Sequence, residues 1–303
     1  MNKILVTGAT GFVGRYVINW LKEFNFEVVG TYYSTNLSSA KINSDIHFEK
    51  MDIFDEASCK NVLSKVKPTH MMHLAWAVPP REFWHSLENV NWLYASIKLF
   101  TNFCSQGGKH FIGAGTLAEY DWNYEVLDEE TTPLNPHTLY GETKKSLYAI
   151  INTIKKFSFP DIKLSWARIG NFFGEEEPKD KLFSTLNRKI KNDEVITLLD
   201  KDLARDYAHV NHLAKTLARM AKLDEDTVIN VGGGKLVKII DVVDHIGKCF
   251  NKKPSIKFNI SIAQTTEPTT LCPNVTRMKK LLGEDYSNDF WNDLENFIRA
   301  VNG

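Results

Sequence analysis

Cysteine is scarce in this sequence, with four among 303 residues, and Cys59, Cys104, Cys249 and Cys272 form no Cys-x-x-Cys pair. That spacing argues against a disulfide framework or a zinc site, and reduced thiols in a cytoplasmic protein are the expectation. Long apolar runs are absent: none approaches the roughly 20 residues that a membrane-spanning helix needs. The sequence enters an apolar strand at once, so no signal peptide is expected. Neither charge is in excess. Lys and Arg number 37, Asp and Glu 37, so the formal net charge is zero. That balance gives no general pull toward nucleic acid or an anionic membrane. No low-complexity tract and no internal repeat is visible. What is present, 43% hydrophobic and 24% charged, is a globular chain at the upper limit for one hydrophobic core. A large domain with a smaller lobe is expected.

The chain is organised around its first fourteen residues. Ile4-Leu5-Val6-Thr7 is an apolar run, and Gly8, Gly11 and Gly14 lie where a buried strand turns into a helix. Without a Cβ, the turn can be tight and its backbone can approach a pyrophosphate, while the helix N-terminus offers N–H groups to the anion. Val17, Trp20, Leu21 and Phe24 then recur along one helical face. Strands are expected at Glu27–Tyr32, Ile46–Met51, Thr69–Ala75, Lys109–Gly113 and Ile162–Arg168. Helices are expected at Ser58–Val66, at about Leu87–Ser105, and from near Pro136 with Asn135 as its cap. This alternation predicts an α/β fold, a doubly wound parallel sheet covered on both faces.

Past Asn171 the pattern loosens. Helices are predicted at Lys181–Lys191, His212–Lys222 and, after a short lead-in, Leu236–Phe250. Val195–Leu199 reads as extended, and Val228–Val231 as a strand before Gly232-Gly233-Gly234. A last helix carries Phe290, Leu294, Phe297, Ile298 and Val301 on one face. The expected domains are residues 1–170, rejoined by a segment near 205–232, and a lobe formed mainly by 171–303.

Tyr140 and Lys144 are the sharpest chemical pair. Four residues apart on a predicted helix, they share a face. A phenol titrates near 10 and is a poor acid–base catalyst at neutrality. An ammonium one turn away is expected to favour the phenolate. Thr116 lies just past the strand Lys109–Gly113, at its carboxyl end, where open parallel sheets bind ligands. A hydroxyl there can hold a reacting oxygen.

Thr7-Gly8-Ala9-Thr10-Gly11-Phe12-Val13-Gly14, Asp52-Ile53, His73-Leu74-Ala75, Asn89, Thr116, Tyr140-x-x-x-Lys144 and Arg205-Asp206-Tyr207-x-His209-Val210 follow one another in that order. Together they resemble the extended short-chain dehydrogenase/reductase family, in its NAD(P)-dependent nucleotide-sugar epimerase/dehydratase/ketoreductase branch, to about Leu282. The resemblance implies a Rossmann-type sheet with a smaller α/β C-terminal substrate lobe. It places Gly8, Thr10, Gly11, Phe12, Val13 and Gly14 at the cofactor pyrophosphate, and Tyr32 and Ser34 near the ribose. Asp52 with Ile53 falls to the adenine, and Leu74, Ala75 and Trp76 to the cofactor groove. Tyr140 becomes the acid/base, Lys144 its activator and a ribose ligand, and Thr116 the third catalytic member. Asn171 and Arg205 face the nucleotide-sugar substrate, Arg205 at its diphosphate; a surface ion pair with Asp206 is the alternative for Arg205. His209 reads as structural. His209 and His212 lack a third ligand nearby, so no metal is expected.

Departures from the family pattern narrow the reaction. The end of the second strand reads Thr31-Tyr32-Tyr33-Ser34, without the carboxylate that binds the ribose 2′-hydroxyl of NAD. NADP(H) is therefore favoured, with NAD(H) the alternative, and Ser34, Thr35, Asn36 or Lys41 as phosphate contacts. Leu117-Ala118 stands where dehydratases of this family carry Asp-Glu. Ala118 and Glu176 stand where epimerase-reductases carry Cys and His, which disfavours 3,5-epimerisation.

The expected function is NADPH-dependent reduction of the C4 ketone of a nucleotide-linked 4-keto-6-deoxy sugar, in deoxysugar biosynthesis for surface glycans. A nucleotide-sugar 4-epimerase with tightly bound NAD is the alternative, and a non-catalytic NADP(H)-binding regulator the third reading. Trp76 and Glu119, nearest the strand ends, are the favoured sugar contacts; core packing competes for Trp76, Trp84, Trp92 and Trp122. Glu175-Glu176-Glu177 reads as a solvated loop. A homodimer through the long helix near 90–105 and the Tyr140 helix is expected, with neither nucleic acid nor membrane as partner.

Overall fold

The computed structural model describes residues 2–35, 37, 45–77, 82–258, 268–283 and 289–303. Strands and helices alternate from the start: β1 (Lys3–Thr7), α1 (Phe12–Glu23), β2 (Glu27–Tyr32), β3 (His47–Lys50), α2 (Glu56–Val66), β4 (His70–His73), α3 (Glu88–Ser105) and β5 (His110–Thr116). A 3₁₀ turn at Leu117–Glu119 and the short β6 (Val126–Leu127) lead to α4 (Leu139–Ser158) and β7 (Lys163–Ile169). Then come β8 (Asn171–Phe173), α5 (Leu182–Lys191), β9 (Ile196–Leu198), β10 (Ala204–His209), α6 (Val210–Met220) and β11 (Thr227–Val231). The chain ends through β12 (Leu236–Lys238), α7 (Ile239–Cys249), β13 (Ile256–Phe258), β14 (Thr270–Pro273), α8 (Thr276–Leu282) and α9 (Phe290–Asn302). Asn36 and Lys41, named above as phosphate contacts, lie outside the described residues.

Two compact units result. The first is Met1–Asp121, Pro133–Ile169 and Ala214–Ile229; the second is Trp122–Thr132, Gly170–Leu213 and Asn230–Gly303. The segment rejoining the first unit is shorter than the expected 205–232, because β10 belongs to the second. Trp122–Thr132 is a detour that the sequence does not signal, since its strand, β6, is two residues long.

In the first unit the sheet runs β11-β7-β5-β4-β1-β2-β3, and the pairings from β7 to β3 are all parallel. The winding reverses at β1, with β2 on one side and β4 on the other, so a ligand crevice is expected beyond the carboxyl ends of β1 and β4. Strands buried on both faces need apolar residues throughout, and Ile4, Leu5 and Val6 are wholly buried. Leu5, Met71, Phe111, Leu99, Phe100, Leu147 and Trp166 share one core. In β5, a Cβ at Gly113 would lie 2.3 Å from the Trp166 ring, so the indole occupies space that only glycine leaves.

The second unit carries the sheet β12-β10-β14-β6, with β8 beside β10, and the pair β13-β9. Phe173, Phe183, Leu186, Val242, Ile246, Leu294 and Phe297 form its core. Two local expectations are corrected. α4 starts at Leu139 with Thr138 as cap, its hydroxyl accepting the Gly141 N–H at 3.0 Å; Asn135 instead donates to Asp121. The acidic run is not wholly solvated: Glu177 is buried and accepts the Ser184 N–H, and Glu175 pairs with His209.

At the amino ends of β4 and β5, His70 and His110 are buried with ring centroids 5.5 Å apart. Burial, helped by nearby Lys109 and Lys163, pulls His70 down to about 4. Burial, then His70 and Lys163, pull His110 to about 3. The folded chain thus binds these protons more weakly than the unfolded chain, whose imidazoles titrate near 6.5. Their stabilisation is complete above about 6.5 and is lost as the pH falls toward these values. The urea midpoint is expected to drop between pH 7 and 4.5, less steeply in His110→Gln; parallel profiles for the two proteins would refute this.

Candidate active site

The turn after β1 is built for close backbone approach. Gly8 has φ +71°, and a Cβ there would lie 2.8 Å from the Ala75 nitrogen. A Cβ at Gly14 would lie 2.1 Å from the Gly8 carbonyl oxygen. Thr7 ties this turn to the one after β4: its hydroxyl lies 2.7 Å from His73 Nδ1 and accepts the Ala75 N–H, while its carbonyl accepts the Leu74 N–H. Gly11 precedes α1 as its N-cap without a side-chain cap, and the first turn holds no acid, so the opening N–H groups suit an anion. Half-buried Thr10, Phe12 and Val13 flank that start. Gly14→Ala is expected to lower stability by about 1–3 kcal/mol, because overpacking against fixed backbone outweighs the helix propensity that alanine adds. An unchanged melting temperature would refute that.

The residues present fit a dinucleotide at this turn. At the end of β2, Thr31 is buried, Tyr32 half-buried and Ser34 exposed, and the Thr35 hydroxyl lies 3.1 Å from that of Thr10. Nothing in Thr31–Thr35 carries a charge that repels a 2′-phosphate. Asp52 Oδ1 accepts the Phe54 N–H at 2.9 Å. The Ile53 side chain lies in the core with Met51 and Trp92, so it offers a cofactor only its main chain.

Thr116 is the last residue of β5 rather than part of the turn above it. Its Oγ1 accepts the Ala118 N–H at 3.2 Å and is hydrogen-bonded to the Tyr140 hydroxyl. Gly141 makes this possible: a Cβ there would sit 2.1 Å from the Ala118 carbonyl oxygen, so the start of α4 presses directly on the 3₁₀ turn. The Tyr140 ring is walled by Phe83, Trp84 and Trp76, with centroids 4.3, 5.9 and 6.3 Å away. One turn along α4, buried Lys144 donates to the Ala114 carbonyl at 2.8 Å and lies 3.8 Å from the centre of the Trp76 ring.

Burial pushes the Tyr140 phenol above its ordinary range, and the Thr116 hydrogen bond only partly opposes it. Burial likewise pulls Lys144 down to about 7, against the attraction of Glu119. The expected pull of Lys144 toward the phenolate is not among the influences on Tyr140, where burial is the largest; the Lys144 amine is engaged by Ala114 and Trp76.

Glu119 requires a correction. It is wholly buried, paired with Arg168 at 2.9 Å and bonded to the Trp166 indole, and so is not available as a sugar contact. Trp76 is half-buried; its Nε1 donates to Asn89 Oδ1, and its ring stacks on Trp92. Trp92 and Trp122 are buried.

In the second unit, Asn171 opens β8 and donates to the Asp206 carbonyl at 3.3 Å. Arg205 is buried in β10, its Nη1 donating to the carbonyls of Ala204 and Thr269. The Asp206 carboxylate accepts the Gly233 and Lys235 N–H groups. Sequence reasoning missed Phe83 and Arg168. The signal for Arg168 was a charge closing the expected strand Ile162–Arg168.

Residues 4–232 match the NAD dependent epimerase/dehydratase family. A GDP-6-deoxy-D-talose 4-dehydrogenase of Aggregatibacter actinomycetemcomitans is 26% identical over 294 residues, covering 94% of this chain and 92% of that protein. A dTDP-4-dehydro-6-deoxyglucose reductase of Escherichia coli is 25% identical over 275 residues, covering 85% and 84%. The crystal structure of a Thermus thermophilus UDP-glucose 4-epimerase in complex with NAD shares the fold, with a TM-score of 0.79 at 20% identity over 99% of each chain. By the extent of the family match, borne out by the parallel sheet and its glycine turn, this chain belongs to the NAD dependent epimerase/dehydratase family.

Proposed function

We propose that the chain is an NADPH-dependent reductase of the C4 ketone of a nucleotide-linked 4-keto-6-deoxy sugar, serving deoxysugar synthesis for surface glycans. The observation that carries this reading is the company of Thr116. Its hydroxyl meets the Tyr140 phenol, with Lys144 one helical turn on. The acid nearest in sequence, Glu119, is turned away onto Arg168. Elimination of water needs a further acid and base; transfer of a hydride and a proton does not. The names of the two 6-deoxy-sugar relatives support the same substrate class.

Bound along the turn of Gly8, Gly11 and Gly14, NADPH supplies the hydride. Tyr140 gives its proton to the C4 oxygen, and Thr116 holds that oxygen by a hydrogen bond. Lys144, with its pKa drawn to about 7, exchanges protons readily near neutrality and restores the phenol. Asn171 and Arg205 are proposed to bind the nucleotide sugar, and Ser34 and Thr35 the 2′-phosphate. A homodimer is proposed through α3 and α4, which expose Tyr94, Ile150 and Phe157.

The second reading is a 4-epimerase with retained NAD, using the same three side chains. The end of β2, Thr31-Tyr32-Tyr33-Ser34, carries no carboxylate for the ribose 2′-hydroxyl of a retained NAD, which favours reduction with an exchanging NADPH. Absorbance at the nicotinamide band, with NADPH or NADH and dTDP-, CDP- and GDP-4-keto-6-deoxyhexoses, tests the choice. Oxidation of NADPH by one of them is expected. Oxidation of neither cofactor, with NAD released on denaturation, overturns the reductase in favour of the epimerase.

A further inference from the structure

The chain turns sharply after Thr116, and the Glu119 side chain folds back beneath that turn. Its Oε1 accepts the Thr116 N–H and the Trp166 Nε1–H, both at 2.9 Å. Its Oε2 accepts the Arg168 Nε–H at 2.9 Å. Arg168 in turn donates from Nη1 to the Tyr120 hydroxyl at 2.9 Å. Room for the carboxylate exists because position 115 is glycine: a Cβ there would fall 2.4 Å from Glu119 Oε1.

As a source of stability, a buried carboxylate–guanidinium pair is weak, since desolvation offsets much of the attraction. As a geometric device it is strong, because several directed donors converge on one rigid group. The donor nearest the chemistry is the Thr116 N–H. Fixing it fixes the backbone from which the Thr116 hydroxyl projects. That hydroxyl has one proton and two lone pairs. One lone pair takes the Ala118 N–H, which leaves the proton and the other lone pair for Tyr140 and a reacting oxygen.

We infer that Glu119 is a positioning residue for the proton transfer: held by Arg168 and Trp166, it clamps the Thr116 N–H and so aims the Thr116 hydroxyl at Tyr140. Glu119 acts through Thr116 and touches no substrate. The inference rests on the reading of Tyr140 as the proton-transfer group, whether the net reaction is reduction or epimerisation.

Steady-state kinetics of two paired variants tests it. E119Q/R168M removes both charges and keeps an amide oxygen for the Thr116 N–H. E119L/R168M removes that acceptor as well. The first is expected to keep kcat within about 5-fold of wild type, and the second to lose about 100-fold with KM within about 3-fold, the scale of a misaligned catalytic group. E119D, which retains both charges and draws the acceptor back by one methylene, carries the test if E119L/R168M does not fold: kcat falls and KM stays. Wild-type kcat in folded E119L/R168M or in E119D overturns the inference. Equal losses in the two double variants overturn it as well, since charge rather than the clamp then matters. Full turnover in Tyr140→Phe overturns the reading of Tyr140, and this inference with it. Amide exchange at Thr116 reads the clamp without substrate. Exchange is expected to be slow in wild type and E119Q/R168M and at least about 10-fold faster in E119L/R168M, as for an amide that loses its acceptor; undiminished protection overturns the inference whatever the substrate proves to be.

Discussion

Tyr140→Phe is expected to lower kcat by about 10²–10⁴-fold, the usual contribution of a positioned acid–base group, while leaving the fold intact. The variant keeps the ring that packs against Phe83, Trp84 and Trp76. It deletes only the hydroxyl bonded to Thr116. Thermal melting and cofactor binding therefore stay close to wild type. KM for the sugar changes little, because the lost interaction is made to an oxygen whose charge develops in the transition state. Turnover within a few-fold of wild type would remove Tyr140 from the chemistry.

Arg168→Met is the largest expected effect on stability, a loss of about 3–5 kcal/mol, because it strands a buried carboxylate without its counter-charge. Both partners are essentially inaccessible to water, the Arg168 and Glu119 side chains being 3% and 0% exposed. The Tyr120 hydroxyl loses its donor in the same step. Glu119→Gln on that background removes the stranded charge and recovers much of the loss, although the pair itself contributes little. Urea unfolding of wild type, Arg168→Met and E119Q/R168M measures the cycle. A single variant as stable as wild type would mean that water or another cation reaches Glu119.

The parts of the molecule that the sequence disclosed are those where spacing along the chain maps directly onto space. Strand, glycine turn and helix in residues 3–23 admit one local geometry, and Tyr140 and Lys144 share a face of α4 because helical periodicity allows nothing else. Side-chain direction at a strand end is not written in the same way. Glu119 lies three residues past Thr116, as a sugar contact might, but it turns inward because Gly115 leaves room and Arg168 supplies the charge. That partner is 49 residues away, beyond any local pattern. The start of α4 had two competing signals, Asn135-Pro136 and Thr138; the second prevailed because its hydroxyl reaches the Gly141 N–H. In the second unit the strands are two to six residues long, too short for alternation to register. The direction of the Tyr140 shift also escaped the sequence, since burial, not the distance along the helix to Lys144, sets it.

The most direct test of the central claim follows a hydrogen atom. NADPH carrying deuterium at both C4 positions of its nicotinamide is incubated with the protein and a nucleotide-linked 4-keto-6-deoxyhexose, and the sugar product is examined by NMR and mass spectrometry. One deuterium at sugar C4 per NADPH oxidised is expected, and none with Tyr140→Phe. A C4 alcohol formed without deuterium, or a keto-sugar recovered unchanged beside unoxidised NADPH, would contradict the claim.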